Sequence, residues 1–284
     1  MQIKPFGHSE FINFKEGPHL YIHKGEIISS VTGITGVVDK PGLIIWAANQ
    51  AGEEIRETVV AGMPLDEIEI EKLAIAASTR HTRHRDSAGG IGRLVHNSIQ
   101  SFIENEFLDK GVVELIILRD CAAAYEPVNV VAKASYQAWV AAIADSYVGM
   151  EFIEAERVVW NRNAGYIGTL DAMGYWPGAD KFVLFDWKTS KGSYAEHGLQ
   201  VAGYFGAVHS AEPKIHAGNT ERCIIHIPCS KQGHFKIYDE YTIQKELTGQ
   251  SLTEDYDAFL GAAITYKWKQ KTPMEQRMKY IRRK

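Results

Sequence analysis

The chain is decided by three short runs that follow one another closely. They are Gly168-Thr169-Leu170-Asp171-Ala172, Phe185-Asp186-Trp187-Lys188-Thr189 and Gln200-Val201-Ala202-Gly203-Tyr204. Residues 166 to 175 and 182 to 188 are rich in aromatic and aliphatic types. Between them, Trp176-Pro177-Gly178-Ala179-Asp180-Lys181 carries Pro and Gly turn signals. The pattern predicts a β-hairpin whose simplest register pairs Tyr175 with Phe182. Carried along the strands, that register puts Asp171 opposite Asp186. Opposed residues have Cβ atoms ~5 Å apart, so two carboxylates there repel. A bridging cation explains such a pair, because hard cations such as Mg²⁺ are held by one or two carboxylates together with phosphate oxygens. Without a cation the two titrations should couple, with one carboxyl raised.

Side chains alternate along a strand, so Lys188 shares a face with Asp186 and Trp187 points into apolar packing. A lysine two residues beyond a metal-holding aspartate can neutralise a phosphate oxygen or position a nucleophile. A surface hairpin with an ordinary Asp–Lys pair is the plain alternative, and a slip of one residue would move the whole set to the other face. Residues 193 to 208 read as a helix. Its small apolar stripe of Leu199, Ala202, Gly203, Gly206 and Ala207 suits close packing on a sheet. Gln200 and Tyr204, four apart, share a face and are aimed at a phosphate or at Lys188, unless they simply face solvent.

Upstream, residues 151 to 160 read as a strand. Glu156 on it is a candidate third acid and Glu154 a rival for that role. Residues 74 to 104 read as one long helix or a broken pair, interrupted by Ala88-Gly89-Gly90-Ile91-Gly92 and continued from Arg93 to Phe107. His96 lies near its apolar face. On position alone it is a buried structural histidine sooner than a metal ligand.

Gly92-x-x-x-His96, Glu156, Gly168-Thr169-Leu170-Asp171, Asp186-Trp187-Lys188 and Gln200-x-x-x-Tyr204, in this order, resemble the PD-(D/E)xK nuclease superfamily in its RecB-like exonuclease branch. The resemblance covers about residues 88 to 230. Ile27-Ile28-Ser29-Ser30-Val31-Thr32, Lys40-Pro41 and Trp46-Ala47 resemble phage-type members and the mitochondrial genome maintenance exonuclease group. The resemblance implies an α/β fold: a restriction-endonuclease-like core with a central mixed sheet flanked by helices. It implies Mg²⁺ or Mn²⁺ held by His96, Asp171, Asp186 and the Trp187 carbonyl, catalysis by Lys188, and support from Gln200 and Tyr204. On this ground His96 is favoured as a ligand. Leu170-Asp171 stands where other branches have Pro-Asp. Some relatives carry an iron–sulfur cluster on four cysteines, whereas this chain has three, Cys121, Cys223 and Cys229, so no such cluster is expected.

At 284 residues, with 45% hydrophobic residues, the chain suits one large domain or a core with a helical insertion. The expected division is an N-terminal hairpin and helical region over 1–87, a nuclease core over 88–265 and a basic tail over 266–284. No run is long and apolar enough to span a membrane, and the first residues lack a signal-peptide core. The scattered cysteines suit free thiols in a reducing, cytoplasmic setting, in a bacterial or phage-infected cell. Cys223 and His226 sit in an apolar run and read as structural.

The net charge of −4 does not advertise nucleic acid, but its distribution does: residues 267–284 hold eight Lys/Arg and one acid, Glu275, a net +7 that leaves −11 for the rest. Lys267, Trp268 and Lys269 mix cations with an aromatic, as DNA contact requires. Arg80, Arg83 and Arg85 form a second basic cluster that either lines a path for DNA or pairs with the acidic run from Glu53 to Glu71. Lys191 completes the expected DNA contacts. The expected activity is metal-dependent DNA exonuclease action in phage replication, recombination or DNA degradation, with a replication or recombination protein as a further partner. The alternatives are a non-cutting DNA-binding accessory module and an RNA-directed nuclease on the same fold.

Overall fold

The structure, a computed structural model, describes residues 1–16, 19–62, 66–108, 121–147, 149–229 and 234–271. The chain divides into two compact units, Met1–Val38 with Val95–Lys284, and Asp39–Leu94. The division therefore differs from the boundary at 87/88 expected from sequence. Residues 1–38 belong with the larger unit because their strands join its sheet.

In the larger unit, a meander of β1 (Gln2–Ile3), β2 (Ile12–Lys15), β3 (Leu20–His23) and β4 (Glu26–Ser30) leads into a short helix α1 (Val31–Thr35). Ser30 caps α1, its side chain accepting from Gly33 N–H at 3.0 Å. β5 (Glu151–Asn161), β6 (Tyr166–Trp176) and β7 (Lys181–Lys188) form an antiparallel run. β8 (Thr220–His226) and β9 (Lys236–Tyr238) complete a nine-stranded mixed sheet. β4 pairs with β6 in parallel at Ser29↔Tyr166 and Ser30↔Ile167, and β8 pairs in parallel with β7. One long edge of β6 is thus occupied by β5, while the other is shared between β4 at its start and β7 at its end.

The hairpin register is the expected one, Tyr175↔Phe182, and runs to Ala172↔Phe185. There the β6–β7 ladder stops, although β7 stays with β8 as far as Lys188↔His226. Leu184, Asp186 and Lys188 alternate with Phe185 and Trp187. Trp187 is buried against Trp139 at 5.5 Å, and Phe185 against Tyr147 at 5.1 Å. Trp139 and Tyr147 belong to, or follow, the helix α4 (Val130–Ser146), which Asn129 caps. Burying a side chain such as Phe185 contributes ~1.5–3 kcal/mol, so this aromatic layer anchors the polar alternates of β7.

The opposite layer is α5 (Ala195–Ala211), over which lies α6 (Leu252–Lys271). The small residues of α5 serve that helix as much as the sheet. A Cβ on Gly203 would lie 2.7 Å from the Phe259 ring, and Tyr166 OH donates to the Gly203 carbonyl at 2.9 Å. Buried Arg222 ties these layers together through Glu240 at 2.7 Å and Asp255 at 2.5 Å. Residues 266–271 are the last turns of α6, so the expected tail begins later; residues 272–284 lie outside the described residues.

The smaller unit holds α2 (Pro41–Val60) and most of α3 (Glu67–Phe102). Of the two readings of this stretch, one long helix is the one seen: α3 runs through Gly89, Gly90 and Gly92 without the interruption expected at 88–92. Each glycine costs a helix ~1 kcal/mol, which a long run of hydrogen bonds on both sides absorbs. Beyond Phe102 the helix widens into a π-helical segment, Ile103–Leu108. Arg80 bonds to Glu54 at 3.0 Å and Glu57 at 2.7 Å, and Arg83 to Glu54 at 3.1 Å. Of the two readings of this basic cluster, pairing with the acidic run is the one seen for Arg80 and Arg83; Arg85 pairs with Asp86. Among the described residues, no helix is long and apolar enough to cross a membrane.

Candidate metal centre

The centre lies where β6 and β7 diverge. Asp171 sits one residue beyond the last β6–β7 pair, and its Oδ2 accepts the Trp187 N–H at 2.7 Å. A side chain thus takes the place of the next ladder bond. Asp171 and Asp186 do not close into a regular facing pair as expected, because the strands have already separated. On the other edge of Asp171, the pairs Ala155↔Ala172 and Arg157↔Leu170 bracket Glu156 and place it opposite. Glu156 has φ +45°, a left-handed conformation inside a strand. Such a residue costs ~1–3 kcal/mol and persists only when its surroundings enforce it. Glu154 instead ion-pairs with Arg157 at 3.5 Å.

His96, on α3 within the larger unit, completes the group. Its Nδ1 is 3.6 Å from Asp171 Oδ1 and 3.8 Å from Glu156 Oε1. One ligand atom each from His96, Glu156 and Asp171 lies within 4.8 Å of the others. Among side chains this triad differs from the expected set: Glu156 is in it and Asp186 is not. It is the Trp187 N–H that meets Asp171.

Asp186 forms the adjoining half of the centre and is 1% exposed. Lys188 Nζ lies 2.6 Å from its Oδ2, so the ammonium meets this buried oxygen. Lys188 also donates to Gln200 Oε1 at 3.2 Å. Gln200 Nε2 donates to Tyr204 OH at 2.8 Å and to Asp186 Oδ1 at 3.3 Å. Gln200 therefore faces Lys188, not solvent. This approach of α5 requires Gly168: a Cβ there would lie 2.7 Å from Tyr204 Cε1 and 2.9 Å from Val31 Cγ2.

The charges divide unevenly. Burial pushes the Asp186 carboxyl up to about 6; the Lys188 ammonium pulls it down and Asp171 pushes it further up. Burial also acts on Asp171, but the neighbouring His96, with Lys188 and the Trp187 N–H, holds it below the usual carboxylate range. One carboxyl of the pair is raised, and it is Asp186. Burial raises Glu156 too, against the pull of His96. Burial opposes a charge on His96, yet Asp171 and then Glu156 lift the ring to about 10. Burial, followed by the charges of Asp186 and Asp171, holds the Tyr204 hydroxyl well above its ordinary value.

One imidazole nitrogen and several carboxylate oxygens suit Mg²⁺ or Mn²⁺, and the Asp186 carboxylate adds acceptor capacity beside them. The residues fit a divalent cation.

Three neighbours escaped the reading of the sequence. Gln100 and Glu104 continue the His96 side of the helix at four-residue steps, bonded at 2.9 Å, and the charge of Glu104 adds to the raising of Glu156. Their spacing was a usable signal. Tyr21 bonds Thr169 Oγ1 at 2.7 Å from 148 positions away, a contact without a sequence signal. Of the expected DNA contacts, Lys267 donates to the Ala164 carbonyl at 2.7 Å, while Trp268 and Lys191 are exposed. Lys269 lies on the same helix. Cys121, Cys223 and Cys229 are free thiols; Tyr147 OH donates to Cys223 Sγ at 2.8 Å, and His226 Nε2 faces the Ser190 carbonyl at 2.7 Å.

No family model matches the chain, and no curated protein matches it in sequence.

Proposed function

We propose that this protein is a metal-dependent DNA exonuclease with a PD-(D/E)xK core, acting in phage DNA replication, recombination or degradation. One observation carries the reading: Glu156, Asp171 and Asp186 lie side by side on three neighbouring strands, with His96 over the first two and Lys188 on the third. Clustering buried acids is costly, and their convergence at one strand split supports a site that receives further positive charge.

His96, Glu156 and Asp171 would hold the cation, with Asp186 beside them. When bound, Mg²⁺ or Mn²⁺ supplies Lewis acidity at the phosphate and a lowered pKa for water. Lys188 is placed to neutralise a phosphate oxygen next to Asp186, and Gln200, fixed by Tyr204, orients its ammonium. The basic residues near the C-terminus supply attraction for the DNA backbone.

The test is incubation of end-labelled single-stranded DNA, duplex DNA, closed circular DNA and RNA in EDTA, Mg²⁺ and Mn²⁺. The expected result is metal-dependent shortening from DNA ends, with circles resistant. Lys188→Ala should lose cleavage by ~10²-fold or more while binding DNA in Ca²⁺ as the wild type does. Cleavage at the wild-type rate by that variant refutes the assigned site. Binding without cleavage by the wild type would make the protein an accessory module, and preference for RNA would change the substrate.

A further inference from the structure

The two helices of the smaller unit meet through polar sides. Glu53, Glu54 and Glu57 of α2 reach Arg80 of α3 at 3.6, 3.0 and 2.7 Å, and the Trp46 ring stands edge-on to that of His81, with centroids 6.4 Å apart. At ~100° per residue these positions share one side of α2, while Ile44, Ile45, Ala48, Gly52, Ile55 and Val59 fall on the opposite side. That side is apolar and bare. Ile44, Ile45, Ile55 and Val59 are 73%, 64%, 46% and 54% exposed, Ala48 is exposed, and a Cβ on Gly52 would meet nothing within 4 Å. An amphipathic helix ordinarily turns its apolar stripe toward a core, and α2 turns it away from its neighbour. Among the described residues from Asp39 to Leu94, Ala77 is the one buried hydrophobic residue. A unit this small has no core of its own, so its apolar surface calls for burial by a partner.

We infer that this face of α2 is the interface of a two-fold homodimer. Full burial of an Ile, Leu or Val contributes up to ~3 kcal/mol at ~25 cal/mol per Å², which corresponds to ~100 Å² each. With Leu43 and Val60 at the margins, six such side chains at roughly three-fifths exposure present ~400 Å² of apolar surface. That matches the apolar share, about 65%, of the ~600 Å² per partner at which stable interfaces begin. The order of residues along the helix is also self-complementary, as a two-fold contact requires. Laid antiparallel about Ala51 and Gly52, Ile44 meets Val59 of the partner subunit and Ala48 meets Ile55 of the partner subunit. The long side chain of Ile55 thus falls against a methyl group, and the glycine lets the two backbones close in. Nucleic acid fits this face poorly, because Pro41–Val60 holds three acids and one arginine, a net −2. The inference goes beyond the nuclease reading and does not depend on it.

The experiment is analytical ultracentrifugation of the full chain across the micromolar range, with Ile55→Glu and Gly52→Cys alongside. The wild type should sediment as a particle of twice the chain mass. Ile55→Glu should raise the dissociation constant ~100-fold or more while keeping the helical circular dichroism of the wild type, since it places a carboxylate in an apolar contact without a partner. Gly52→Cys lies beside the two-fold axis and should give a covalent dimer on mild oxidation, whereas the wild type, with its three native cysteines, should not. That arm decides the matter whether or not Ile55→Glu folds. A wild type that stays monomeric throughout, a folded Ile55→Glu that dimerises as the wild type does, or the absence of a covalent Gly52→Cys dimer overturns the inference. So does a monomer whose Ile55→Glu variant loses affinity for single-stranded DNA, which would give the face to nucleic acid. Cleavage of DNA by a monomer would leave the nuclease reading standing, and a dimer that cuts nothing would sink that reading alone.

Discussion

His96→Gln removes a cation that touches both Asp171 and Glu156, and its effect on stability should depend on pH in a calculable way. Those two acids lift the ring from an ordinary 6.5 to about 10, while the side chain is only 27% exposed. A group raised on folding contributes fully below its unfolded pKa and loses that contribution as the pH climbs through the folded value. The window is therefore pH 6.5 to about 10. Its span of about 3.5 pH units at ~1.36 kcal/mol each sets a ceiling of about 5 kcal/mol on what the ring's proton contributes in metal-free protein. Urea denaturation in EDTA at half-unit steps across that window should show the gap between wild type and variant closing by up to ~1.4 kcal/mol per pH unit. A gap that stays constant with pH refutes the charge assignment.

The same proton bears on metal binding. An imidazole must be neutral to ligate, so Mn²⁺ has to displace it. Titration calorimetry at about pH 8 in two buffers of different ionisation enthalpy should find about one proton released per Mn²⁺ by the wild type, and far less by His96→Gln, which should also need more Mn²⁺. A wild type that binds Mn²⁺ without releasing a proton would leave His96 as a structural ion-pair partner.

Gly168→Ala forces a methyl group against the Tyr204 ring and Val31. It should cost about 1–3 kcal/mol in chemical denaturation and lower activity through the displaced Tyr204–Gln200 pair. Truncation after Lys271 leaves α6 whole and removes five basic residues and Glu275, a net +4. DNA affinity should then fall and its salt dependence flatten; an unchanged slope in a binding titration would show that this segment does not meet the phosphate backbone.

Much of the site was legible because it lies on short-range structure. The Pro-Gly turn fixed the hairpin register, and alternation along β7 then set Lys188 beside Asp186 and buried Trp187. Helical spacing joined Gln200 to Tyr204. The break expected at the glycines of α3 is absent because local propensity is weak against a long hydrogen-bonded helix. The place of residues 1–38 was hidden for another reason: Ser29 and Ser30 pair in parallel with Tyr166 and Ile167, far along the chain. Nothing local records such a pairing.

The least legible feature is also the one on which the proposed chemistry turns. Sequence alternation makes Asp171 and Asp186 a facing pair with one carboxyl raised, but it does not say which. The ladder between β6 and β7 ends just before that pair, and the separation makes the two acids different. Asp171 keeps a backbone donor and the imidazole, so its charge is favoured; Asp186 is deeply buried beside Asp171 and Lys188 offsets only part of that, so its charge is costly. The strained backbone of Glu156 falls on the other side of Asp171, where regular pairing on either side of it holds a conformation that the residue would not adopt alone. A strained backbone on one side and a costly buried charge on the other thus bracket the carboxylate that is already stabilised. In the proposed reading a bound cation and a phosphate would offset both costs.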